Sequence, residues 1–296
     1  MGPGRGAHSR WSDTPTWPFI SPLIVVLAFA TVFPLLNAVY LSFFNWNWGK
    51  AFSFIGFDNY AAVTHNADYW AALGRTVLFT VMAVATELVI GFALALAAER
   101  TGRHIGWVRT VLIIPLMVSG IVVSLIWKVM LDPTIGVIPW ALGHLGIDQV
   151  NLLGESSLAL PTIAGIDTWW QTGFVFIILN AGLQALPHDP FEAAAVDGAN
   201  AFQRLRYLTI PMMTPVILVV AGIRAIDCLK LFALVFGATG GGPGQATEAT
   251  QILAYRTAFK ANQMSMSMTM MVVYAAMIVA LAGLVLTIRR IRRNHG

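Results

Sequence analysis

Five ionisable side chains interrupt the long apolar runs of this sequence, and their spacing limits what they can do. Arg224, Asp227 and Lys230 follow at intervals of three residues, which places them along one face of a helix, and Glu87 and Asp167 lie inside two other apolar runs. A charge at the centre of a bilayer costs about 2.5–3.5 kcal/mol on insertion scales, so such groups need an opposite charge or a polar path. Two interpretations stay open: an ion-paired seam between helices, or the polar lining of a route for a solute.

An aromatic and amide cluster lies at a matching depth. The stretch DTWWQTGF (167–174) is near the middle of its apolar run, level with Arg224 if both runs are helices rising about 1.5 Å per residue. A tryptophan face suits the C–H face of a sugar ring, and Gln171 or Asp227 could bind hydroxyl groups. Because neighbours on a helix point about 100° apart, only one of the two adjacent tryptophans can face a given side, and the other packs against neighbours or lipid. We predict a substrate path formed by Trp170, Gln171, Arg224, Asp227 and Lys230.

No pattern typical of covalent catalysis, metal binding or nucleotide binding occurs in the sequence. The single cysteine, Cys228, allows no internal disulfide and no cysteine metal cluster, and the six histidines lack HExxH spacing. The glycine-rich stretch TGGGPGQ (239–245) has no phosphate-loop lysine. A net charge of +4 is modest for a nucleic-acid-binding protein. We therefore expect no catalytic residue, metal or cofactor in this chain and no nucleic-acid partner, and we expect Cys228 to be a small buried side chain.

Six apolar segments are long enough to position these groups inside a bilayer. The chain has 296 residues, of which 57% are hydrophobic and only 11% charged, and a mean hydropathy of +0.71. A helix of about 20 apolar residues crosses the hydrocarbon core. The composition predicts an all-α integral membrane protein surrounded by lipid. Its six transmembrane helices are predicted at about 19–44, 73–98, 107–131, 158–184, 211–236 and 266–288.

The distribution of basic residues predicts the orientation of these segments. One set of connections contains eleven, namely Arg5, Arg10, Arg100, Arg103, Arg109, Arg204, Arg206, Arg289, Arg290, Arg292 and Arg293. The opposite set contains five, namely Lys50, Arg75, Lys128, Arg256 and Lys260. Because cytoplasmic loops carry the excess of basic residues, both termini are expected in the cytoplasm. The terminal RRIRR (289–293) fits a topology determinant, with a lipid-binding patch as the alternative.

The cytoplasmic connection at 185–210 is unusual because it is polar and rich in small residues. EAAAV (192–196) is helix-forming, and Asp197-Gly198 then ends the helix, since glycine accepts a positive φ. From Ala199 onward the pattern is an amphipathic helix with a narrow apolar stripe. This second helix could lie among lipid headgroups, or it could insert into a groove of a cytoplasmic protein. The residue pattern alone favours neither alternative.

EAAAVDGANAFQRLRYLTIP resembles the EAA loop of inner-membrane permeases of binding-protein-dependent ABC importers. Glu192, Ala193, Ala194, Gly198 and Pro211 match that motif in identity and spacing, while Leu208 and Ile210 exchange its isoleucine and leucine. The resemblance implies a coupling helix that sits in a cleft of an ATPase subunit. The coupling residues that it implies are Glu192, Ala193, Ala194, Asp197, Gly198, Phe202 and Pro211.

Further stretches are similar to the maltose- and glycerol-3-phosphate-type permeases that import carbohydrates. They include FIGFDNY (54–60), WKVMLDPTIGVI (127–138) and TGGGPGQATE (239–248). The resemblance implies one permease domain over 1–296, with the type I ABC importer permease fold, as a multi-pass protein of the inner (plasma) membrane. Arg75 replaces the asparagine more usual in these permeases, and little consequence is expected because it lies at the end of a span.

The partners implied by the resemblance are a second homologous permease subunit, two ATPase subunits and an extracytoplasmic sugar-binding protein. ATP and Mg would be bound by the ATPase subunits, so this chain would be a transport subunit and not an enzyme. The alternative is an ion-coupled secondary transporter that uses Glu87, Asp167 or Asp227 as a proton relay, and a membrane-embedded enzyme is a weaker one. The sequence does not identify the sugar, and Arg224 and Lys230 leave a phosphorylated glycerol-type substrate open. The glycine-rich loop fits a re-entrant or binding-protein-facing segment, or a flexible linker.

Overall fold

A computed structural model describes residues 17–49, 52–101, 105–147 and 150–294 of the chain. Of the basic residues used to predict orientation, Arg5, Arg10, Lys50 and Arg103 lie outside these ranges. The described part is predominantly α-helical, as predicted, with one short β-hairpin.

The helices and strands follow one another along the chain with short connections. In chain order they are α1 (Trp17–Leu41), β1 (Phe44–Asn45), β2 (Ser53–Phe54), α2 (Asp58–Thr64), α3 (Ala67–Thr101), α4 (Ile105–Ile113), α5 (Gly120–Met130), α6 (Val137–His144), α7 (Ala159–Gln184), α8 (Asp189–Val196), α9 (Ala201–Arg204), α10 (Ile210–Leu229), α11 (Ala233–Ala238), α12 (Thr250–Phe259) and α13 (Met264–Asn294). A 3₁₀ turn (Ile114–Met117) follows α4, and a π-helical turn (Leu205–Thr209) joins α9 to α10.

Five helices in the described ranges are long and apolar enough to cross a membrane. They cover Ile20–Leu41, Ala67–Glu99, Ala159–Gln184, Ala201–Leu229 and Met264–Gly283. A bent pair, Gly106–Met117 and Gly120–Met130, supplies a sixth span if the two parts are taken together. The length of the apolar segments in the sequence therefore predicted the membrane-spanning helices.

The segment expected as one helix at 107–131 is broken and bends by 98°. Pro115 lies in the 3₁₀ turn and has no backbone N–H, and Val118 and Ser119 are extended, with ψ of 135° and 147°. A new helix, α5, begins at Gly120. The proline and the extended residues that follow it prevent the helix from continuing through this point, which composition alone did not show.

The segment expected at 211–236 has different bounds. The helix begins at Ala201, because the side chains of Asn200 and Gln203 form a capping box with each other's backbone N–H groups, and it runs through the π-helical turn to Leu229. Lys230 then ends it, and α11 begins only at Ala233. The helix that was expected to start after the polar connection therefore includes the second half of that connection.

The described residues divide into two compact units, the first of which contains those within 1–64 and 257–296. In it, the hairpin pairs Phe44 with Phe54 and Asn45 with Ser53 in antiparallel register. The backbone N–H of Trp46 donates to Oγ of Ser265 at 3.1 Å, and the Ser265 hydroxyl donates to the Trp46 carbonyl, also at 3.1 Å. These bonds hold the start of α13 on the hairpin.

The second unit, residues 65–256, is organised by the close packing of α3 on α7. A Cβ atom at Gly91 would lie only 2.7 Å from Cγ1 of Val175, so the glycine allows the two helices to approach. Val175, Phe176 and Leu179 are fully buried along this contact. The packing positions the intramembrane carboxylates of α3 and α7 beside α10.

The glycine-rich residues 239–249 form a hydrogen-bonded loop in the second unit. Arg256 donates to the carboxylate of Glu248 at 2.6 Å and to the carbonyl of Gly240 at 2.8 Å. Nε of Arg75 donates to the carbonyl of Glu248 at 3.0 Å and joins α3 to the loop. Arg75 therefore has a structural role where little consequence was expected, and the loop is not arranged as a free linker.

We expect Gly173→Ala to destabilise the protein and Gly165→Ala, on the same helix, to be tolerated. An added Cβ at Gly173 would overlap the carbonyl oxygen of Leu112, whereas nothing lies within 4 Å of a Cβ at Gly165. Overpacking costs about 1–3 kcal/mol, while alanine is favoured over glycine within a helix by about 0.5–1 kcal/mol. Thermal denaturation of the purified protein in detergent measures the difference, and equal midpoints for the two variants would contradict this packing.

Candidate functional site

A buried cluster of three charged residues lies where α3, α7 and α10 meet. Arg224 on α10 donates through Nε to Oε2 of Glu87 at 2.6 Å and through Nη2 to Oε1 of Glu87 at 2.9 Å. The same Nη2 donates to Oδ2 of Asp167 on α7 at 2.8 Å. Arg224, Glu87 and Asp167 are 3%, 0% and 6% exposed. The structure thus contains the ion-paired seam that the sequence left as one of two interpretations.

The local sequence around these residues explains why the pairing forms. Each of the three lies in an apolar stretch of its own helix and is almost fully buried when the helices pack. An isolated buried charge is strongly unfavourable, and attraction offsets desolvation only with good geometry and further hydrogen bonds. The planar guanidinium supplies a bidentate bond to Glu87 and a third bond to Asp167. Arg224 therefore fixes the level at which the three helices contact one another.

Asp227 and Lys230 continue the row of charges toward an exposed surface. Oδ2 of Asp227 lies 3.7 Å from Nη1 of Arg224, and Oδ1 lies 3.5 Å from Nζ of Lys230. The side chain of Asp227 is 49% exposed and that of Lys230 is 65% exposed. The spacing of three residues places these side chains on one face of the helix end, as the sequence predicted, and Asp227 lies between the two cations.

All five residues of the predicted substrate path line one cavity of about 230 Å³. These are Trp170, Gln171, Arg224, Asp227 and Lys230. Asp167 and Cys228 also line it, as does the segment between α10 and α11. The structure brings the predicted residues together, while their contact with a substrate stays a prediction.

The two adjacent tryptophans have different surroundings. Trp169 packs edge-on against Trp127, with ring centroids 5.4 Å apart, and is 48% exposed. Trp170 lines the cavity and lies so close to α5 that a Cβ at Gly120 would be 2.8 Å from its ring. Trp170 thus contributes an aromatic residue to the cavity wall, while its Nε1–H is buried without an acceptor in the described residues.

Glu87, Asp167 and Cys228 also offer three ligand atoms within 4.8 Å of one another, which is a spacing suited to a metal ion. The guanidinium of Arg224 donates to both carboxylates of this group. A cation is therefore already present between them. Cys228 is 3% exposed, which agrees with the small buried side chain expected from the sequence.

The polar connection forms two short helices separated by a tight turn. The N–H of Gly198 donates to the carbonyl of Ala195 at 3.1 Å, and that of Ala199 donates to the carbonyl of Ala194 at 2.8 Å. Together with φ of +76° at Gly198, these bonds form a Schellman motif at the end of α8. A Cβ at Gly198 would meet nothing within 4 Å. Within this chain, position 198 therefore restricts the backbone conformation but not the size of the side chain.

The second half of the connection is continuous with a membrane-spanning helix through the π-helical turn. The N–H of Ile210 donates to the carbonyl of Leu205, five residues earlier, and Pro211, which has no N–H, follows at the start of α10. Single π-helical turns inside α-helices are frequent at functional sites. Helix α9 is therefore directly joined to the helix that carries Arg224.

Several predicted coupling residues face away from the rest of the chain. Glu192, Ala193, Asp197, Gly198 and Phe202 are exposed, Pro211 is exposed at the helix start, and Ala194 is partly buried. The side chains of Val196, Phe202 and Tyr207 are 88%, 69% and 69% exposed. Large exposed apolar side chains on an ordered, capped segment indicate a surface that is covered by a partner protein or by lipid.

The sequence predicted only some of the residues and helix ends that surround the cavity. Glu87 and Asp167 could be identified as intramembrane carboxylates, but hydropathy did not establish which cation binds them. No sequence signal marked the end of α10 at Leu229, since no proline or glycine occurs between Lys230 and Phe232. That break brings Phe232 and Leu234 into the cavity wall.

Comparison with known proteins identifies a family. The family model described as "Binding-protein-dependent transport system inner membrane component" matches residues 87–294. A protein named as a probable ABC transporter permease from Sinorhizobium fredii is 34% identical over 275 residues, covering 91% of this chain and 88% of its own length. The trehalose/maltose transport system permease protein of Thermococcus litoralis is 33% identical over 237 residues, covering 80% of each chain.

A similar fold has been observed in a crystal structure. A chain of a bacterial ABC transporter involved in the import of the acidic polysaccharide alginate superimposes with a TM-score of 0.77 at 20% identity. The match covers 94% of this chain and 96% of that chain. The fold of the present chain is therefore that of an ABC importer permease.

We expect Arg224→Met to lower the stability by about 3–5 kcal/mol, because two buried carboxylates lose their cation. Arg224→Lys should recover only part of this loss, since an ammonium group cannot reproduce the three hydrogen bonds of the planar fork. Adding Glu87→Gln and Asp167→Asn to Arg224→Met should restore stability in part. Thermal denaturation of the solubilised protein provides the measurement.

Lys230→Met is the matched control for the Arg224 series. Its side chain is 65% exposed and pairs only with a half-exposed carboxylate, so the stability should change by less than about 1 kcal/mol. If Arg224→Met proved no less stable than Lys230→Met, the buried cluster would not have the stabilising role that its geometry indicates.

Proposed function

This chain belongs to the family of binding-protein-dependent transport system inner membrane components, and we propose that it is a permease subunit that moves a carbohydrate into the cytoplasm. The name of one relative, the trehalose/maltose permease, supports the class of substrate. So does the cavity whose wall contains Trp170, an amide and four charged side chains, because sugars are bound by aromatic faces and polar groups together. The substrate path would include Trp170, Gln171, Arg224, Asp227 and Lys230.

The observation that carries the coupling proposal is the exposed, capped segment that leads directly into a membrane helix. Phe202 and Val196 project outward, and the helix from Ala201 runs without interruption to Leu229. We assign ATPase coupling to Glu192, Ala193, Ala194, Asp197, Gly198, Phe202 and Pro211. The segment would sit in a cleft of an ATPase subunit rather than among lipid headgroups, because a hydrogen-bonded turn and a capping box hold its exposed apolar side chains in a defined arrangement.

The assembly that we propose contains a second homologous permease, two ATPase subunits and an extracytoplasmic sugar-binding protein. ATP and Mg would be bound by the ATPase subunits, and this chain would carry no cofactor of its own. We place both termini and residues 185–210 in the cytoplasm, with residues 1–296 acting as one permease domain. The excess of basic residues on that side supports this orientation.

The mechanism follows from the continuity of the helix. When ATP closes the ATPase pair, the segment at 192–211 moves with it, and the helix transmits the displacement to the level of Arg224. Because Arg224 is bonded to α3 and α7, the three helices would tilt together and change the side on which the path opens. Hydrolysis would then reset the inward-facing state.

The ion-coupled alternative has little support in the described residues. Of the three carboxylates that it could use as a proton relay, Glu87 and Asp167 accept hydrogen bonds from Arg224, and Asp227 lies between the cations of Arg224 and Lys230. It also assigns no role to the segment at 192–211. Uptake driven by an ion gradient in the absence of ATPase subunits would revive it.

We expect Gly198→Val to abolish coupling while the protein still inserts into the membrane. A β-branched residue is strained at φ of +76°, and its bulk would stand at the proposed contact with the ATPase subunit. ATP-dependent uptake and co-purification of the ATPase subunits should both fall by about tenfold or more, as for other central interface residues.

Gly146→Val is the matched control for this variant. Gly146 has φ of +79° and equally open space around its Cβ, but it lies outside the segment at 185–210. Gly198→Asn tests the conformation separately, because asparagine tolerates a positive φ. Unchanged uptake and association in Gly198→Val, or an equal loss in Gly146→Val, would count against the coupling role.

A further inference from the structure

We propose that the cavity at the end of α10 favours neutral or cationic carbohydrates and disfavours anionic ones, including phosphorylated sugars. This inference rests on the proposed transport of a carbohydrate through this cavity. The relatives do not decide the charge, since one is named for trehalose and maltose and a solved relative for an acidic polysaccharide. The inference about substrate charge is drawn from the ionisable groups that this chain places at the cavity.

Every nitrogen of the Arg224 guanidinium already faces a carboxylate. Nε and Nη2 bond to Glu87 and Asp167 at 2.6–2.9 Å, and Nη1 lies 3.7 Å from Asp227. An incoming phosphate or carboxylate at Nε or Nη2 would have to displace Glu87 or Asp167 and leave it unpaired in a buried position, and at Nη1 it would meet the half-exposed carboxylate of Asp227. Arg224 is therefore not free to bind an anion, although the sequence suggested that it could be.

Lys230 is the other cation on the wall of this cavity. Its Nζ lies 3.5 Å from Oδ1 of Asp227, and its side chain is 65% exposed. An anion near Lys230 would therefore also lie near the carboxylate of Asp227. The attraction of the ammonium group is largely cancelled at that distance, and what remains is weakened by solvent.

The balance of charge across the cluster is negative. Three carboxylates, Glu87, Asp167 and Asp227, stand against two cations, Arg224 and Lys230. Protonation of one carboxylate would bring the balance to zero and would still release no surplus cation. The four charges on the cavity wall itself, those of Asp167, Asp227, Arg224 and Lys230, balance, so an anion meets no surplus cation there, and ionised Glu87 behind the wall shifts the potential in favour of cations.

The remaining polar groups on the wall suit hydroxyl groups. Trp170 contributes an aromatic ring to the wall, and Gln171 provides an amide with both donor and acceptor atoms. A sugar ring can stack on the indole, and its hydroxyls can exchange bonds with the amide or with Asp227. These contacts recognise a polyol and need no charge on it.

The potential of the cavity can be measured without knowing the substrate. Gln171→Cys in a Cys228→Ser background places a single thiol on the cavity wall, and Ser156→Cys in the same background places one on an exposed surface. The assembled transporter in detergent is treated with methanethiosulfonates that carry either a trimethylammonium or a sulfonate group. For each variant, the rate of reaction with the cationic reagent is divided by the rate with the anionic reagent. We expect this ratio to be about three- to tenfold higher at residue 171 than at residue 156.

Substitutions then separate this chain's contribution from that of its partner permease. Asp227→Asn should reduce the cationic preference severalfold, and Lys230→Gln should increase it. Glu155→Gln, which removes an exposed carboxylate that does not line the cavity, should leave it unchanged. A preference for the sulfonate reagent at residue 171, or a ratio insensitive to Asp227→Asn and Lys230→Gln, would overturn the inference.

Uptake provides the second readout and distinguishes the inference from the proposed function. Proteoliposomes with the complete transporter and its binding protein are offered maltose, trehalose, trehalose 6-phosphate and glucuronate, after binding of each to the isolated binding protein has been measured. We expect ATP-dependent uptake only of neutral sugars, even where the binding protein captures an anionic one. Import of an anionic sugar that the binding protein captures would refute the charge selectivity and leave the proposed function intact. Gradient-driven uptake without ATP would refute the proposed function, and the thiol reaction rates would then decide the inference.

Discussion

The arrangement of the described membrane helices in the second unit depends on one guanidinium group bonded to two buried carboxylates. Arg224 connects α10 to α3 through Glu87 and to α7 through Asp167. An unpaired charge at this depth would be strongly unfavourable, so the helices cannot slide past one another without breaking bonds that water cannot replace. The interaction therefore fixes helix register and also leaves the neighbouring cavity with little free positive charge.

The same helix joins this cluster to the polar segment at the other end. The stretch from Ala201 to Leu229 contains 29 residues, which corresponds to roughly 40 Å of helix. Its start is fixed by a capping box and its far end by Arg224. A displacement of the exposed segment can thus reach the cavity through a rigid element, with the π-helical turn as the irregular point along it. The proposed coupling segment and the proposed substrate path therefore lie at the two ends of one helix.

Much of the architecture could be predicted because lipid imposes a simple rule on the chain. Apolar runs of sufficient length located the membrane helices, and Gly198 after the alanines at 193–195 located the end of α8. The prediction missed the break near Ser119 and the end of α10 at Leu229. The first break follows Pro115, which the sequence contains but which a membrane helix can tolerate, and no residue between Lys230 and Phe232 signalled the second.

The sequence by itself determined that this is a helical membrane protein, which side chains are charged within its spans, and which segment resembles a coupling helix. Only the tertiary structure decided how those charges are used. Spacing along one helix placed Arg224, Asp227 and Lys230 on a common face, but the carboxylates that bind Arg224 are 137 and 57 residues away in the chain. Periodicity describes one helix at a time, whereas pairing between helices is fixed by how their surfaces pack, and that is why a cation that looked available for an anionic substrate is already bound.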